Sequence, residues 1–232
     1  MSLQRARFRG DCSTNEFQEV LKRLKRDGCN LLVTGAVSED VTIEATRTLL
    51  GAPTAERKRI LALADSQSEN VRERLPSGVE SEDPDVWLVD QETCQRSVPK
   101  AAESAATHLP ADESDRSPLG RLREEIILAI DFFADAGLDP SELRLSVSSL
   151  GRLTHEHGPD RVARFVRSVS AMVRGVHGMA HYHLPTPDDD EMVERLSGLF
   201  DARVELRKRD GVPTEQRWHV PEHDQTTEWL RL

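Results

Sequence analysis

Several things are scarce in this sequence, and each absence closes off a class of protein. No apolar run approaches the roughly 18–20 residues that a membrane-spanning helix requires, so a bilayer-embedded chain is excluded. The opening MSLQRARFRG has no apolar segment of the secretory type, and a cytoplasmic location is expected. Cysteine occurs three times, as Cys12, Cys29 and Cys94. That odd number, without any Cys-x-x-Cys spacing, argues against a disulfide framework, a zinc ribbon or a thioredoxin-like motif. Cys29, next to an apolar run, reads as a small core residue. Aromatics are few, with one Tyr, three Trp and six Phe, and nothing resembles a stacking platform for single-stranded nucleic acid. The Gly-x-Ser-x-Gly elbow of the α/β-hydrolases is missing too.

Lysine is also rare. Lys22, Lys25, Lys58, Lys100 and Lys208 stand against 26 arginines and 41 acidic residues, for a net charge of −10. Such an acidic, lysine-poor surface suits a salt-rich cytoplasm, where carboxylates hold water and screening removes much of their mutual repulsion. A halophilic source is therefore expected, and in that setting the acidity is background that points to no basic partner. At 232 residues the chain fits one α/β domain, or one domain carrying a disordered insertion.

Periodicity supplies the organisation. Phe17, Val20, Leu21 and Leu24 recur at helical spacing, so an amphipathic helix occupies residues 1–28. Asn30–Thr34, Arg59–Ala64, Val86–Val89, Leu143–Val147 and Val176–Leu184 are short apolar runs of the kind that form buried strands. Helical patterns fall between them over Val41–Leu50, Glu69–Leu75, Pro118 to Gly137 and Asp160–Arg174, and another follows over Glu191–Phe200. This alternation predicts an α/β fold with a mostly parallel central sheet and helices on both faces, over residues 29–222. Ala202–Arg207 and Gln216–Val220 alternate apolar and polar about Asp210-Gly211, which predicts an antiparallel hairpin at the C-terminal edge. Residues 91–117 are rich in Ser, Thr, Ala, Glu and Pro, and are expected to form a mobile insertion. Residues 223–232 form a tail whose Trp229 and Leu230 are expected to fold back on the sheet rather than stay exposed.

The first strand ends at Gly35, and a helix follows at the distance found in a phosphate-binding loop of pattern G-x-x-x-x-G-K-[ST]. In that register the first Gly is Gly35 and the final hydroxyl is Thr42. The second Gly has become Asp40 and the Lys has become Val41. The change removes the cation that offsets phosphate oxygens, while Glu39 and Asp40 add negative charge. Like charges near 4 Å repel by about 1–4 kcal/mol at effective dielectrics of 80 to 20. An ordinary strand-to-helix turn, with Asp40 favouring the helix dipole, explains the same residues. Either way the turn is expected to be filled by its own acids rather than to hold an anion.

Together with the strand order, Gly35-to-Thr42 and the run Leu143-Arg144-Leu145-Ser146-Val147-Ser148-Ser149-Leu150 resemble the RecA/RadA and KaiC class of P-loop ATPases. They resemble still more a group of haloarchaeal proteins that look like decayed members of that class. The likeness runs from about Asn30 to Val220 outside the insertion. It implies a RecA-like fold and side-by-side assembly. In the family an Asp at the end of the fourth strand contacts the metal; the matching residue here is Ser148, which cannot supply the carboxylate. A catalytic Glu after the second or third strand has no clear counterpart, although Asp65 and Asp90 follow those strands. Both nucleotide motifs thus depart together, and no cofactor is expected.

Other constellations carry weaker signals. His181 and His183 share a strand face, and with His155, Glu156 and His157 they could form a metal site; polar residues at the sheet's rim explain them as well, and no metal is expected. Arg161, Arg164, Arg167 and Arg174, with Arg203, Arg207, Lys208 and Arg209, could face phosphates, or could be solvated faces neutralised by acidic neighbours. The expected role is a non-catalytic regulatory or scaffolding protein acting through a protein partner or self-association. A nucleotide-dependent ATPase with an atypical loop, or a DNA-associated repair or transcription factor, are the alternatives. Nucleic acid is not the favoured partner, no membrane association is expected, and no small-molecule substrate is identified.

Overall fold

The computed structural model describes residues 14–63, 71–90, 117–223 and 225–232. Cys12, Asp65, Cys94 and the expected insertion up to residue 116 lie outside the described residues. Ser117, the last residue of that expected insertion, is instead the N-cap of a helix: its hydroxyl accepts from the Gly120 N–H at 3.0 Å, with Pro118 at the first helical position.

The elements run α1 (Thr14–Asp27), β1 (Cys29–Thr34), α2 (Glu39–Leu49), β2 (Lys58–Leu63), α3 (Val71–Arg74), β3 (Val86–Asp90), α4 (Pro118–Asp135) and β4 (Leu143–Val147). They continue with α5 (Leu150–His157), α6 (Pro159–Gly175), β5 (Met179–His183), α7 (Glu191–Ser197), β6 (Ala202–Arg207), β7 (Glu215–Val220), β8 (Gln225–Thr226) and β9 (Leu230–Arg231). The sheet order is β3-β2-β4-β5-β1-β6-β7-β8, with β9 also pairing β7. All pairs from β3 to β6 are parallel, and β7 turns back antiparallel against β6. The fold is therefore α/β, with a mostly parallel sheet between helices and a C-terminal antiparallel hairpin.

Alternation along each strand decides which helix layer a side chain meets. Leu32, Ile60, Ala62, Leu145, Val147, Ala180 and Tyr182 face α4, α5, α6 and α7. Leu31, Val33 and Met179 face the opposite way, toward α1 and α2, and Leu61 and Leu63 pack beside α3. Strands buried on both faces favour apolar residues on both, which is why Leu31–Val33 of β1 and Ile60–Leu63 of β2 read as continuous runs.

Several boundaries differ from the sequence reading. The fifth strand starts at Met179, because Val176 and His177 wrap the end of α6: Gly178 N–H donates to Val173 O at 2.8 Å, and His177 takes φ 52°. Helix α5 lies where none was expected. The tail does fold back: β9 lies on β7, Leu232 N–H donates to Thr214 O at 2.9 Å, and Trp229 sits 3.8 Å from the Arg207 guanidinium carbon.

Candidate functional site

In an open parallel sheet, ligands bind outside the carboxyl ends of the strands, where successive connections leave in opposite directions. Here β1 leads through α2 toward β2 on one side, while β5 leads through α7 to β6 on the other, so the switch lies beside the end of β1. Two recesses open there.

The first, of about 200 Å³, lies between the N-termini of α2 and α5 and is lined by Val37, Glu39, Thr42, Arg74, Ser148, Ser149, His183 and Pro185. It brings together Thr42 and Ser148, two residues singled out from sequence. The neighbouring turn is nonetheless built for packing. Gly35 has φ 120°, and a Cβ there would collide with the Leu206 carbonyl oxygen on β6. Its N–H, which a phosphate loop would aim at a ligand, donates to Thr186 O at 2.8 Å. The helix begins at Glu39, so only residues 35–38 form the loop. Val41 is 4 % exposed and belongs to the core under α2. The position of the missing Lys is thus a hydrophobic contact. Thr42 turns its hydroxyl back to Ser38 O at 3.4 Å, and Ser148 donates to Ala62 O, also at 3.4 Å.

The acids behave differently from each other. Asp40 is exposed in the first turn of α2, where it complements the helix dipole. Glu39 reaches Arg74 of α3 at 3.0 Å. Only 4 % of the Arg74 side chain is exposed, so a guanidinium that the sequence reading did not single out is the cation of this recess. Its carboxylate partner comes from the chain itself.

His183 closes the floor. The Thr46 hydroxyl donates to Thr42 O at 3.0 Å, so it accepts from His183 Nε2 at 2.9 Å, and that ring nitrogen carries the proton. Burial, with Arg74 nearby, pushes the His183 pKa down to about 3. His181 stacks edge-on against His183 at 5.2 Å and is lowered well below its usual value by burial, then by His183 and Arg144. His155 and His157 end α5 on the other face of the sheet, so the four histidines do not converge. Asp90 ends β3 half-buried; burial and Asp90 raise the pKa of Glu125 on α4.

The second recess, of about 630 Å³, lies beyond Gly35 and is lined by residues of the β5–α7 loop, β6 and β7. Asp188, Glu205 and His219 bring three ligand-type atoms within 4.8 Å of one another there, a trio with the right donors for a divalent cation. Both carboxylates are already engaged. Arg203 meets Asp188 at 2.7 Å, Arg217 meets Glu205 at 2.5 Å, and His219 Nε2 lies 2.9 Å from Glu205. Burial pushes Glu205 up, but hydrogen bonds from His219 and Arg217 hold it below the ordinary carboxylate range. The trio closes as a charge network. Strand alternation gives Glu205, Arg217 and His219 one shared face, but Asp188 comes from a loop whose approach no local pattern signals.

The basic groups of the hairpin are mostly neutralised: Arg207 and Arg209 each meet Glu215 at 2.9 Å. On α6, Arg174 pairs with Asp201 at 2.8 Å, while Arg161, Arg164 and Arg167 are exposed.

Fold and recess together define an open parallel α/β protein with a strand-end crevice at its switch point. The chain belongs to a family of unknown function (DUF7504), whose profile matches residues 28–206, from the turn before β1 to the end of β6. No curated protein matches the chain.

Proposed function

We propose that this protein is a non-catalytic relative of the RecA/RadA and KaiC class that works as a regulatory or scaffolding component, through protein partners or copies of itself. The observation that carries this reading is the turn after β1. The lysine position is core Val41, and the Gly35 N–H is spent on Thr186. Across the recess, Ser148 stands where a metal-binding carboxylate would be needed, and its hydroxyl is turned to Ala62. Glu39 already pairs with Arg74, the buried cation of this recess. Among the described residues that line this recess, none is left over to neutralise a triphosphate or to hold magnesium beside it. The central first strand and the switch beside it support descent from a nucleotide-binding frame; the filled turn supports loss of its chemistry.

Calorimetric titration of Mg-ATP into the full chain, in molar potassium chloride, tests the reading. The expected result is no saturable heat. Binding tighter than about 100 µM, roughly −5.5 kcal/mol on the affinity scale, and lost in the Arg74→Met variant, overturns it in favour of an ATPase with an atypical loop.

A further inference from the structure

At the opposite end of the sheet, cations gather with no carboxylate bonded to the buried ones among the described residues. Arg59 of β2 and Arg144 of β4 are register partners on adjacent parallel strands and turn to the same face. Both are buried, at 3 % and 7 % exposure. Like charges directly opposite on neighbouring strands repel, and a buried charge is costly unless paired. Their acceptors are carbonyl oxygens alone. Arg59 donates to Arg57 O at 3.2 Å and Ala52 O at 3.1 Å; Arg144 donates to Ser141 O at 2.9 Å and Leu49 O at 3.4 Å. The Nε atoms of Arg57 and Arg59 are buried with no hydrogen-bond partner.

Two further cations belong to the group. Lys25 lies in the last turn of α1, and its carbonyl accepts from the Ser141 hydroxyl, while the Ser141 carbonyl accepts from Arg144. Arg57 precedes β2 and is partly exposed. The groups feel one another. Burial, then Arg144 and Arg57, lower Lys25; burial and Arg57 lower Arg59; burial and Arg57 bring Arg144 down to about 10.

The nearby acids do not balance this. Asp85 and Asp83 raise Arg59, but Asp85 is held by Lys58 at 2.5 Å. Cys29 lies close, yet burial pushes its thiol up to about 12, so it is no thiolate counter-ion. The C-terminal end of α2, reached by Arg144 at Leu49 O, contributes only about half a negative charge.

We propose that Lys25, Arg57, Arg59 and Arg144 form a binding site for a phosphate-type oxyanion at the amino-end rim of the sheet, distinct from the strand-end recess. Guanidinium groups present planar forks that match tetrahedral oxyanions, and the partly exposed Arg57 and the exposed Lys25 give the ligand access from solvent. The site accounts for two arginines side by side in the core, where a stability argument alone would place apolar residues.

The test compares the unfolding temperature of the full chain in potassium phosphate and in potassium chloride at matched ionic strength. Phosphate is expected to raise the wild-type midpoint by several degrees. Arg144→Met is expected to raise the midpoint in chloride, because a buried uncompensated charge is removed, and to abolish the phosphate increment. That opposite movement separates ligand binding from a structural role. Arg57→Gln, at the accessible rim, keeps the core intact and is expected to weaken phosphate affinity at least tenfold, which holds the test open should Arg144→Met fold poorly. Adding glycerol phosphate distinguishes a free ion from a phosphate ester: an equal shift points to the ester's phosphate group, a smaller one to inorganic phosphate. No phosphate increment in the wild type, or an equal one in Arg144→Met and Arg57→Gln, overturns the proposal. ATP heat that vanishes in Arg144→Met but survives in Arg74→Met belongs to this rim and leaves the reading of the strand-end recess standing.

Discussion

Arg74 and Glu39 meet at 3.0 Å across the mouth of the recess beside α2, with the arginine almost wholly buried and the carboxylate 41 % exposed. Removing one partner of a buried pair costs about 3–5 kcal/mol. Solvent reaches Glu39, so screening reduces that figure, and Glu39→Gln is expected to destabilise the fold by about 1–2 kcal/mol. Arg74→Met removes the charge that needs a partner, and Glu39→Gln added to it is expected to cost much less than it does alone. Urea unfolding of the two single variants and the double variant measures this coupling; additive losses would show that the pair does not act as a unit.

Writing the letters of a phosphate loop into the turn after β1 is expected not to create that loop's chemistry. Val41 is in the core under α2, in the cluster with Val33, Ala45 and Leu206. The double change Asp40→Gly and Val41→Lys would place an ammonium among those side chains and a glycine inside the first turn of a helix. Glycine costs about 1 kcal/mol there. The buried charge adds about 2–5 kcal/mol unless the lysine snorkels out. Calorimetry with Mg-ATP and a denaturation curve on the same preparation check both halves. A stable variant that binds Mg-ATP would mean that the loop is held open by its sequence and not by its packing.

The sheet was legible because its strands are buried on both faces. Leu31-Leu32-Val33 and Ile60-Leu61-Ala62-Leu63 are apolar at every position, and the pattern survives without knowing their neighbours. Helix α5 was not legible because its eight residues give little more than two turns, and Ser148-Ser149 before it with Gly151 near its start read as a loop after the strand. The two-residue strands β8 and β9 are too short for any alternation to register. Of the candidate site, Gly35, Thr42 and Ser148 could be found because strand ends locate them. Arg74 could not. It lies on a four-residue helix and reaches the recess only through the packing of α3 beside α2. The pairing of Arg59 with Arg144 likewise depends on strand register, which separates residues 85 positions apart in sequence from any local pattern.

Acid should unfold this protein through its buried histidines. In the unfolded chain a histidine titrates near 6.5, whereas His183 in the folded state is held down to about 3, and His181 is lowered in the same direction. The folded-state values are depressed, so their contribution is fully present above pH 6.5 and is lost progressively as pH falls toward 3. His181 Nε2 is buried without a partner. His181→Leu is therefore expected to stabilise the fold by about 1 kcal/mol at pH 7.5, from relief of an unsatisfied polar atom. At pH 5 the gain should be larger, because the unfolded leucine chain takes up no proton there. Midpoints of urea unfolding at the two pH values measure the difference. An equal effect at both would mean that His181 titrates normally in the folded protein.

Gly35 separates a packing role from a ligand role most directly. Its φ of 120° is a conformation that residues with a Cβ rarely adopt, and the added carbon would strike the Leu206 carbonyl on β6. Backbone strain of this kind costs about 1–3 kcal/mol, and the collision must also separate β1 from β6 or bend the turn. Gly35→Ala is accordingly expected to destabilise by at least about 3 kcal/mol, more than most single substitutions do. Thr42→Ala gives up only a weak 3.4 Å contact to Ser38 O and is expected to cost less than about 1 kcal/mol. In a phosphate-binding loop the order of importance would be judged by ligand: both variants would lose nucleotide, and Thr42 would matter through magnesium. Here the ranking is set by stability, measured by thermal unfolding with and without Mg-ATP. A large Gly35→Ala loss that nucleotide leaves unchanged is the expected outcome, and rescue of either variant by nucleotide would give the turn a ligand-binding role.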